Sequence, residues 1–216
     1  MKKAMLEHEA RTILEEYGVK NVPGAFCINK EEMIRSADIL GYPVVLKVVS
    51  PDVIHKSENG GVILDIMDKT MLEKAYDDMM ATVRKHIPNA DIRGVLVTKF
   101  VENARELIIG SINDEQFGPV VMVGLGGIFV EIFKDISFGI APVTKKEARN
   151  MVVSLKSYPI LKGIRGEYPI NIDAICELIV TISNFVFEKK IAELDLNPVF
   201  CFNDEVLVGD ARILLE

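Results

Sequence analysis

The sequence contains no tryptophan and only three cysteines. Cys27, Cys176 and Cys201 are scattered among apolar neighbours and form no C-x-x-C pair. This pattern excludes the disulfide framework of a small secreted domain. It predicts reduced thiols inside the core of a cytoplasmic protein.

Long hydrophobic runs are also missing. The longest apolar stretch, around residues 43–49, is interrupted by Lys47 and is far too short to span a bilayer. The N-terminal residues continue into charged ones without the apolar region of a signal peptide. With a net charge of −7, the chain has no general attraction to nucleic acid or anionic lipid. We therefore expect no nucleic-acid partner and no membrane association.

The 216 residues are 49% hydrophobic and 26% charged, which is typical of a folded globular protein. The length suffices for one domain or for two joined lobes. Helical and strand patterns alternate without strict βαβ order, which favours an α+β architecture. We expect a lobe boundary near residues 101–105, with the first helix and the first lobe in 1–103 and the second lobe in 104–216.

Apolar periodicity, capping residues and turn residues locate the individual elements. Helices are predicted at 3–17, 29–40, from 68 to before Pro88, after a capping box at Thr144, and at 173–188. Strands are predicted at 25–28, 43–50, 62–66, 92–101, 105–113, 119–123, 129–133, 136–142, 191–200 and 205–213.

Lys47 is the first residue that suggests chemistry. On a strand it shares one face with Val45 and Val49. A buried ammonium group is costly unless it meets an anion, and a phosphate is the natural candidate. The alternative is a lysine on an edge strand that extends to water. The residue alone does not decide between the two.

Two glycine-containing segments are ambiguous. The polar loop 55–61 ends in Gly60 and Gly61, which would allow close backbone approach to a phosphate, although such a loop is more often an ordinary surface loop. The G-x-x-x-x-G-K-[ST] pattern of a P-loop is absent from the chain. The segment Gly124-x-Gly126-Gly127 lacks the spacing and the following helix of a Rossmann turn, so a tight turn between strands is the simpler interpretation.

The strand around residue 195 carries a row of oxygen donors. Strand periodicity places Glu193, Asp195 and Asn197 on one face, and Asp210 adds a carboxylate from the next predicted strand. Oxygen donors of this kind suit Mg²⁺, which also binds substrate phosphates. The alternative is a solvent-facing stripe, but acidic residues are poor strand formers. Together with Lys47, the row indicates phosphate and Mg²⁺ without specifying a reaction.

These motifs, taken in combination, resemble the ATP-grasp subunit of ADP-forming acetate–CoA ligases, the NDP-forming acyl-CoA synthetases. The resemblance runs over essentially the whole chain. Its stretches are 42–51, 55–62 (HKSENGGV), 106–110 (ELIIG), 124–135 (GLGGIFVEIFKD), 163–166 (GIRG), 193–198 (ELDLNP) and 210–213 (DARI).

The resemblance implies an ATP-grasp fold with two α+β lobes and the nucleotide in the cleft between them. It implies a reversible reaction between acyl-CoA, phosphate and ADP on one side and acid, CoA and ATP on the other. A separate CoA-binding alpha subunit would carry a phosphohistidine, and this chain would pass the phosphoryl group to the nucleotide. The expected cofactors are Mg²⁺ and ATP or ADP, in a hetero-oligomer.

The resemblance also assigns roles to residues. His55 would be a second phosphoryl carrier. Phosphates would be held by Lys47, Ser57, Gly60 and Gly61, and the nucleoside by the backbone around Lys99–Val101 and by Glu106. Asn197 and Asp210 would bind Mg²⁺, with Asp195 and Glu193 nearby. Further candidates are Glu131 and Arg165.

One position departs from the family pattern. Gly139 stands where the family usually has an arginine after Ser-Phe, so a contact of that arginine to phosphate or to the partner is in doubt. Two other functions compete with the leading one: a regulatory subunit that binds nucleotide without turnover, and a succinyl-CoA synthetase-type beta chain. The short length and the HKS loop favour the acyl-CoA synthetase type. The sequence does not specify the carboxylic acid or distinguish ATP from GTP.

Overall fold

A computed structural model describes residues 3–54, 56–127, 134–163 and 168–215. Its helices are α1 (Glu7–Glu16), α2 (Lys30–Leu40), α3 (Lys69–His86), α4 (Lys145–Val153), α5 (Tyr158–Leu161) and α6 (Ile172–Lys189). Its strands are β1 (Lys3–Ala4), β2 (Gly24–Cys27), β3 (Val44–Val49), β4 (Val62–Ile66), β5 (Gly94–Lys99), β6 (Arg105–Asp114), β7 (Gly118–Leu125), β8 (Ile136–Ile140), β9 (Ile191–Cys201), β10 (Val206–Val208) and β11 (Ala211–Leu215).

The chain divides into two compact units. Unit A collects the described residues among 6–8 and 22–102, and unit B collects those among 3–5, 9–21 and 103–215. The sequence interpretation assigns the first helix to the lobe 1–103, but residues 9–21 cluster with unit B. The reason is packing, since Ala10 and Leu14 are fully buried in the apolar core of unit B.

Unit A is a four-stranded antiparallel sheet with the order β2-β5-β3-β4. Every residue of β3 is buried, because this strand lies between β5 and β4. One face of β3 packs with α2 and α3 in the core of the unit, through Val44, Leu46 and Val48. The other face carries Val45, Lys47 and Val49.

Unit B is built on an antiparallel sheet with the order β1-β11-β9-β6-β7-β8, and β10 pairs with β9. Helix α6 contributes Ile175, Ile179, Ile182 and Phe185 to the apolar core of this unit, and all four are fully buried. These residues form the apolar stripe that their helical spacing predicts. The mixture of helices and antiparallel sheets confirms the predicted α+β class.

Capping side chains mark four helix starts, and the sequence predicts three of these caps, at Asn29, Asp68 and Thr144. Asn29, Asp68 and Asn171 each accept a hydrogen bond from the backbone N–H three residues later. Thr144 and Glu147 form the predicted capping box at the start of α4. Local sequence therefore sets the helix starts of both units.

The structure corrects two predicted boundaries and leaves a third prediction untested. The first helix starts at Glu7 and not at residue 3, because Lys3 and Ala4 pair with β11. The strand predicted at 205–213 is two strands, β10 and β11, with a break at Gly209-Asp210. The strand predicted at 129–133 lies outside the described residues.

The three cysteines are free and buried, as their apolar neighbours predict. Burial raises the pKa of the Cys201 thiol to about 12, so this thiol stays protonated. In the described parts of the chain, no helix combines the length and the apolar character that a membrane span requires.

Candidate functional site

Lys47 lies on the central strand β3, where it pairs in register with Leu96 of β5 and Val62 of β4. Only 7% of the residue is exposed. The alternative of an edge-strand lysine extending to water is therefore wrong. The sequence argument that a buried ammonium needs an anion is correct, but in the structure a protein carboxylate supplies it.

That carboxylate belongs to Glu7, the first residue of α1. Its Oε1 atom lies 2.7 Å from Lys47 Nζ, and its Oε2 atom accepts a hydrogen bond from Lys56 Nζ. The Glu7 side chain is 1% exposed, so both contacts are shielded from water. One buried carboxylate thus joins a strand lysine to a loop lysine within unit A.

The loop that follows Lys56 is tightly folded against β3. Gly61 N–H donates to Lys56 O at 2.7 Å, and Val48 N–H donates to Gly61 O at 2.8 Å. A Cβ at Gly60 would lie 2.5 Å from Thr82 Cγ2, and one at Gly61 would lie 2.6 Å from Val48 Cγ1. Packing explains Gly61, and at Gly60 the backbone also has a φ of +69°, which favours glycine. Ser57 is exposed in the same loop.

The residues predicted to bind the nucleoside belong to different units: Lys99 and Val101 to unit A, and Glu106 to unit B. Lys99 Nζ donates to Gly41 O at 2.8 Å and to Tyr42 O at 3.2 Å, so this ammonium group holds the C-terminal end of α2. Val101 is half-buried in unit A, and Glu106 is exposed on β6 in unit B.

The predicted row of oxygen donors on β9 has the expected alternation. Leu194 and Leu196 are 1% and 0% exposed, whereas Glu193, Asp195 and Asn197 lie on the more accessible face. Asn197 N–H donates to the backbone oxygen of Asp210 at 3.3 Å, so the chain brings these two residues side by side. Asp210 stands at the break between β10 and β11.

The acidic side chains of this row differ in their charged neighbours. Glu193 Oε1 lies 3.5 Å from Arg212 Nη1, so this carboxylate already has a cationic partner. Burial raises the pKa of Asp195, the nearby Asp210 carboxylate raises it further, and Arg212 opposes the rise. Asp195 and Asp210 therefore repel each other, and a cation placed between oxygen donors at this point would relieve the repulsion.

Within the described residues, no group of three or more His, Cys, Asp or Glu side chains is arranged to hold a metal ion. A protein-only metal cage is therefore not present there. The donors suit a different arrangement, in which one or two carboxylates and an amide share Mg²⁺ with phosphate oxygens. Asn197 and Asp210 fit that arrangement, with Asp195 adjacent.

Comparison with known proteins identifies the family. Residues 1–215 match the profile of an ATP-grasp domain. The chain belongs to the ATP-grasp family. Its relatives include the beta subunit of acetate–CoA ligase [ADP-forming] I from Pyrococcus furiosus, which is 44% identical over 98% of this chain and 91% of that protein. Acetate–CoA ligase [ADP-forming] I from Archaeoglobus fulgidus is 46% identical over 96% of this chain, which spans only 30% of that longer protein.

Solved structures agree with this assignment. Acetyl-coenzyme A synthetase 1 of Candidatus Korarchaeum cryptofilum, in complex with coenzyme A and Ca-AMPCP, superposes with a TM-score of 0.96 at 42% identity, over 99% of this chain and 94% of that one. A second structure of the same enzyme contains Mg-AMPPCP, and its phosphohistidine segment points towards the nucleotide binding site. It superposes with a TM-score of 0.85 at 39% identity, over 99% of this chain and 93% of that one. This ATP-grasp chain is thus of the beta-subunit type of ADP-forming acetate–CoA ligases.

Three predicted site residues of the ATP-grasp chain, His55, Glu131 and Arg165, lie outside the described residues. The structure does describe nearby residues of the same segments, among them Gly126. Gly126 N–H donates to Glu106 O at 2.7 Å, and a Cβ at Gly126 would lie 2.9 Å from Glu106 Cβ. The glycine therefore permits the close approach of β7 and β6.

Asp135 fixes the chain after the glycine segment. Its carboxylate accepts the backbone N–H groups of Lys156 and Ser157, at 2.8 and 2.7 Å. Burial alone would raise the pKa of Asp135, but the hydrogen bonds from Ser157 and Lys156 outweigh burial and lower it. The carboxylate is thus an anchor between two loops of unit B, a role that the sequence did not reveal.

Gly139 is explained by packing. It lies on β8 opposite Val121 of β7, and a Cβ there would stand 2.8 Å from Met151 Sδ and 2.9 Å from Val143 Cγ1. Both neighbours are buried core residues. A side chain at position 139 would therefore point into the space that Met151 and Val143 fill. The arginine of the family pattern has no room here unless this core rearranges.

This geometry predicts that Gly139→Ala destabilises the ATP-grasp chain by about 1–3 kcal/mol, because the added methyl group overpacks the contact with Met151 and Val143. The measurement is urea unfolding, with the midpoint compared at constant slope. Phe138→Ala is the control, because Phe138 is 58% exposed on the same strand. A Gly139→Ala midpoint equal to that of the wild type would contradict the packing explanation.

Glu7 is a residue of the site that no sequence motif indicated. A signal was available, since a buried lysine requires an anion and the first helix begins with acidic residues at 7 and 9. Spacing could not select between them, because Glu7 is 40 residues from Lys47 and 49 from Lys56. Only the packing of α1 determines that Glu7 is the carboxylate that contacts both lysines.

Proposed function

We propose that this chain is the nucleotide-binding subunit of an ADP-forming acyl-CoA synthetase, and that it carries phosphoryl groups between a phosphohistidine on a CoA-binding partner and ADP. The observation that supports this most strongly is the buried Lys47–Glu7–Lys56 cluster in a chain of this family. Two ammonium groups collected at one point suit the charge of nucleotide phosphates.

The residues then take the following roles. Lys47 and the loop carrying Ser57, Gly60 and Gly61 would hold the phosphates in unit A. The backbone at Lys99–Val101 would accept the adenine, and Glu106 would accept the ribose hydroxyls. The exposure of Glu106 is compatible with that contact.

Asn197 and Asp210 would hold Mg²⁺, with Asp195 next to them. Asn197 on β9 and Asp210 at the break between β10 and β11 lie side by side, and burial together with the nearby Asp210 carboxylate raises the pKa of Asp195; both observations support this assignment. The bound ion would offset charge on the phosphate oxygens. Glu193 contributes less, because Arg212 already neutralises it.

His55 would be the phosphoryl carrier on this chain. Its neutral imidazole attacks phosphorus, so the N–P bond of the partner's phosphohistidine breaks as a new N–P bond forms. A second transfer breaks that bond and forms a P–O bond to ADP. Lys56, the next residue, would offset charge on the moving phosphoryl group.

The partner would be a CoA-binding alpha subunit, in a cytoplasmic hetero-oligomer. The P. furiosus relative is named as a beta subunit, and the longer A. fulgidus relative contains a matching region within a single chain. The three buried, free thiols of this chain are compatible with a reducing compartment.

The decisive experiment combines the purified chain with a CoA-binding alpha subunit and follows phosphate release that depends on acid, CoA and nucleotide. We expect turnover by the pair and no acyl-CoA synthesis by this chain alone. Nucleotide binding without turnover by the pair would favour a regulatory subunit. Succinate as the only accepted acid would favour a succinyl-CoA synthetase-type chain.

A further inference from the structure

We propose that Glu7 is a positioning residue for phosphoryl transfer, which rests on the function proposed above. Its carboxylate bridges Lys47 and Lys56 and holds both ammonium groups where phosphate arrives. Glu7 would not touch the reacting atoms. It would act through the two lysines, and nothing in the sequence motifs of the site points to it.

The burial of the cluster argues against a role in stability alone. The side chains of Glu7, Lys47 and Lys56 are 1%, 8% and 19% exposed. Removing such charges from water is expensive, and well-packed apolar side chains in their place are often equally stable. A buried cluster of this kind is therefore better explained by a function that requires the two ammonium groups at fixed positions.

Glu7 is itself held firmly. It is the first residue of α1, where the partial positive charge of the helix start favours a carboxylate. The next residue, His8, stacks its ring on Phe26 of β2, with centroids 4.0 Å apart and planes 6° from parallel. The carboxylate is thus tied to the sheet of unit A through its neighbour.

Lys56 gains the most from this arrangement. Lys47 already lies on the rigid central strand β3, whereas Lys56 lies in the loop before β4. The Lys56 backbone is fixed by Gly61, and its ammonium group is fixed by Glu7. The carboxylate therefore draws a loop cation to the same point as a strand cation.

This pre-placement has a chemical consequence. A phosphoryl group in transfer spreads negative charge over its oxygens, and cations that are already in position need no reorganisation to meet it. Two ammonium groups held on one carboxylate would also repel each other if the carboxylate were lost. Their positions depend on Glu7, whereas their charges do not.

The test is Glu7→Gln in the complete two-subunit enzyme. The amide keeps the shape, but it replaces one of the two accepting oxygens by an NH2 group, which cannot accept a hydrogen bond from the ammonium group that faces it. We expect kcat to fall by roughly tenfold to a hundredfold, as for a misplaced group, while KM and Kd for ADP change little because both lysine charges remain. Glu7→Asp, which keeps the charge, should recover part of kcat.

Glu16→Gln is the matched control, because Glu16 lies in the last turn of the same helix and is exposed. It should have wild-type kcat and KM. The melting temperature and far-UV spectrum of each variant separate the effect on kcat from a loss of folded protein. If Glu7→Gln does not fold, Lys56→Gln provides the second measurement, with the same selective loss of kcat expected.

The double variant Glu7→Gln/Lys56→Gln decides whether the two residues act together. We expect a loss in kcat clearly smaller than the product of the two single losses, since part of the effect of Glu7 is exerted through Lys56. Wild-type kcat in both single variants would overturn the proposal, as would fully additive losses. If wild-type enzyme fails to bind Mg-ADP, the proposed function fails instead, so the two failures are distinguishable.

Discussion

Replacing His55 with alanine should reduce turnover of the two-subunit enzyme by at least about a thousandfold, because alanine cannot form an N–P bond. Nucleotide binding should persist, since the phosphate-binding lysines are unchanged. The measurement follows radiolabelled phosphate from ATP onto each chain in rapid-quench samples, under alkaline conditions that preserve phosphohistidine. In the variant, label should be absent from both chains when it is supplied from ATP, because His55 is the first acceptor in that direction.

His86→Ala provides the control for this experiment, because His86 is exposed in the last turn of α3. It should turn over and carry label like the wild type. Normal turnover by His55→Ala, or label that never reaches this chain in the wild type, would leave His55 with a structural role only. If His55→Ala bound nucleotide more weakly but still transferred some of the phosphoryl group, that result would also indicate a structural role for His55.

Replacing Lys47 with methionine should remove most nucleotide binding. A hydrogen bond to a charged group contributes roughly 1.5–3 kcal/mol, so we expect the Kd for Mg-ADP to rise about tenfold to more than a hundredfold. In the wild type, ligand at about 100 times its Kd should stabilise the fold by roughly 2.7 kcal/mol. That stabilisation corresponds to a melting shift of roughly 5–10 °C, which Lys47→Met should reduce by about half at a tenfold rise in Kd and almost completely at a hundredfold rise, at the same ligand concentration.

Methionine is chosen because it keeps the apolar stem of Lys47 in the buried strand. Glu7 retains Lys56 as a partner, which limits the loss of stability. Lys69→Met is the control, because Lys69 is exposed at the start of α3. No melting shift of wild-type protein with any purine nucleotide and Mg²⁺ would contradict nucleotide binding itself. A normal shift in Lys47→Met would remove Lys47 from the phosphate site.

Interactions between residues close in the sequence were predicted well. The cap at Asn29, the capping box at Thr144 and the alternation of β9 around Asp195 all follow from spacing over two to four residues. Such contacts depend on helix and strand geometry, which is the same wherever the element lies. The family assignment also followed from short motifs read together.

By itself, the sequence determined the α+β class, the capped starts of α2, α3 and α4, the donor row on β9 and the demand of Lys47 for an anion. Only the tertiary structure decided that Glu7 supplies that anion, that Lys99 holds the end of α2, and that Gly139 faces Met151. The physical reason is separation along the chain. Each of these contacts joins elements that meet only through packing, and no local periodicity specifies which distant side chain fills the space.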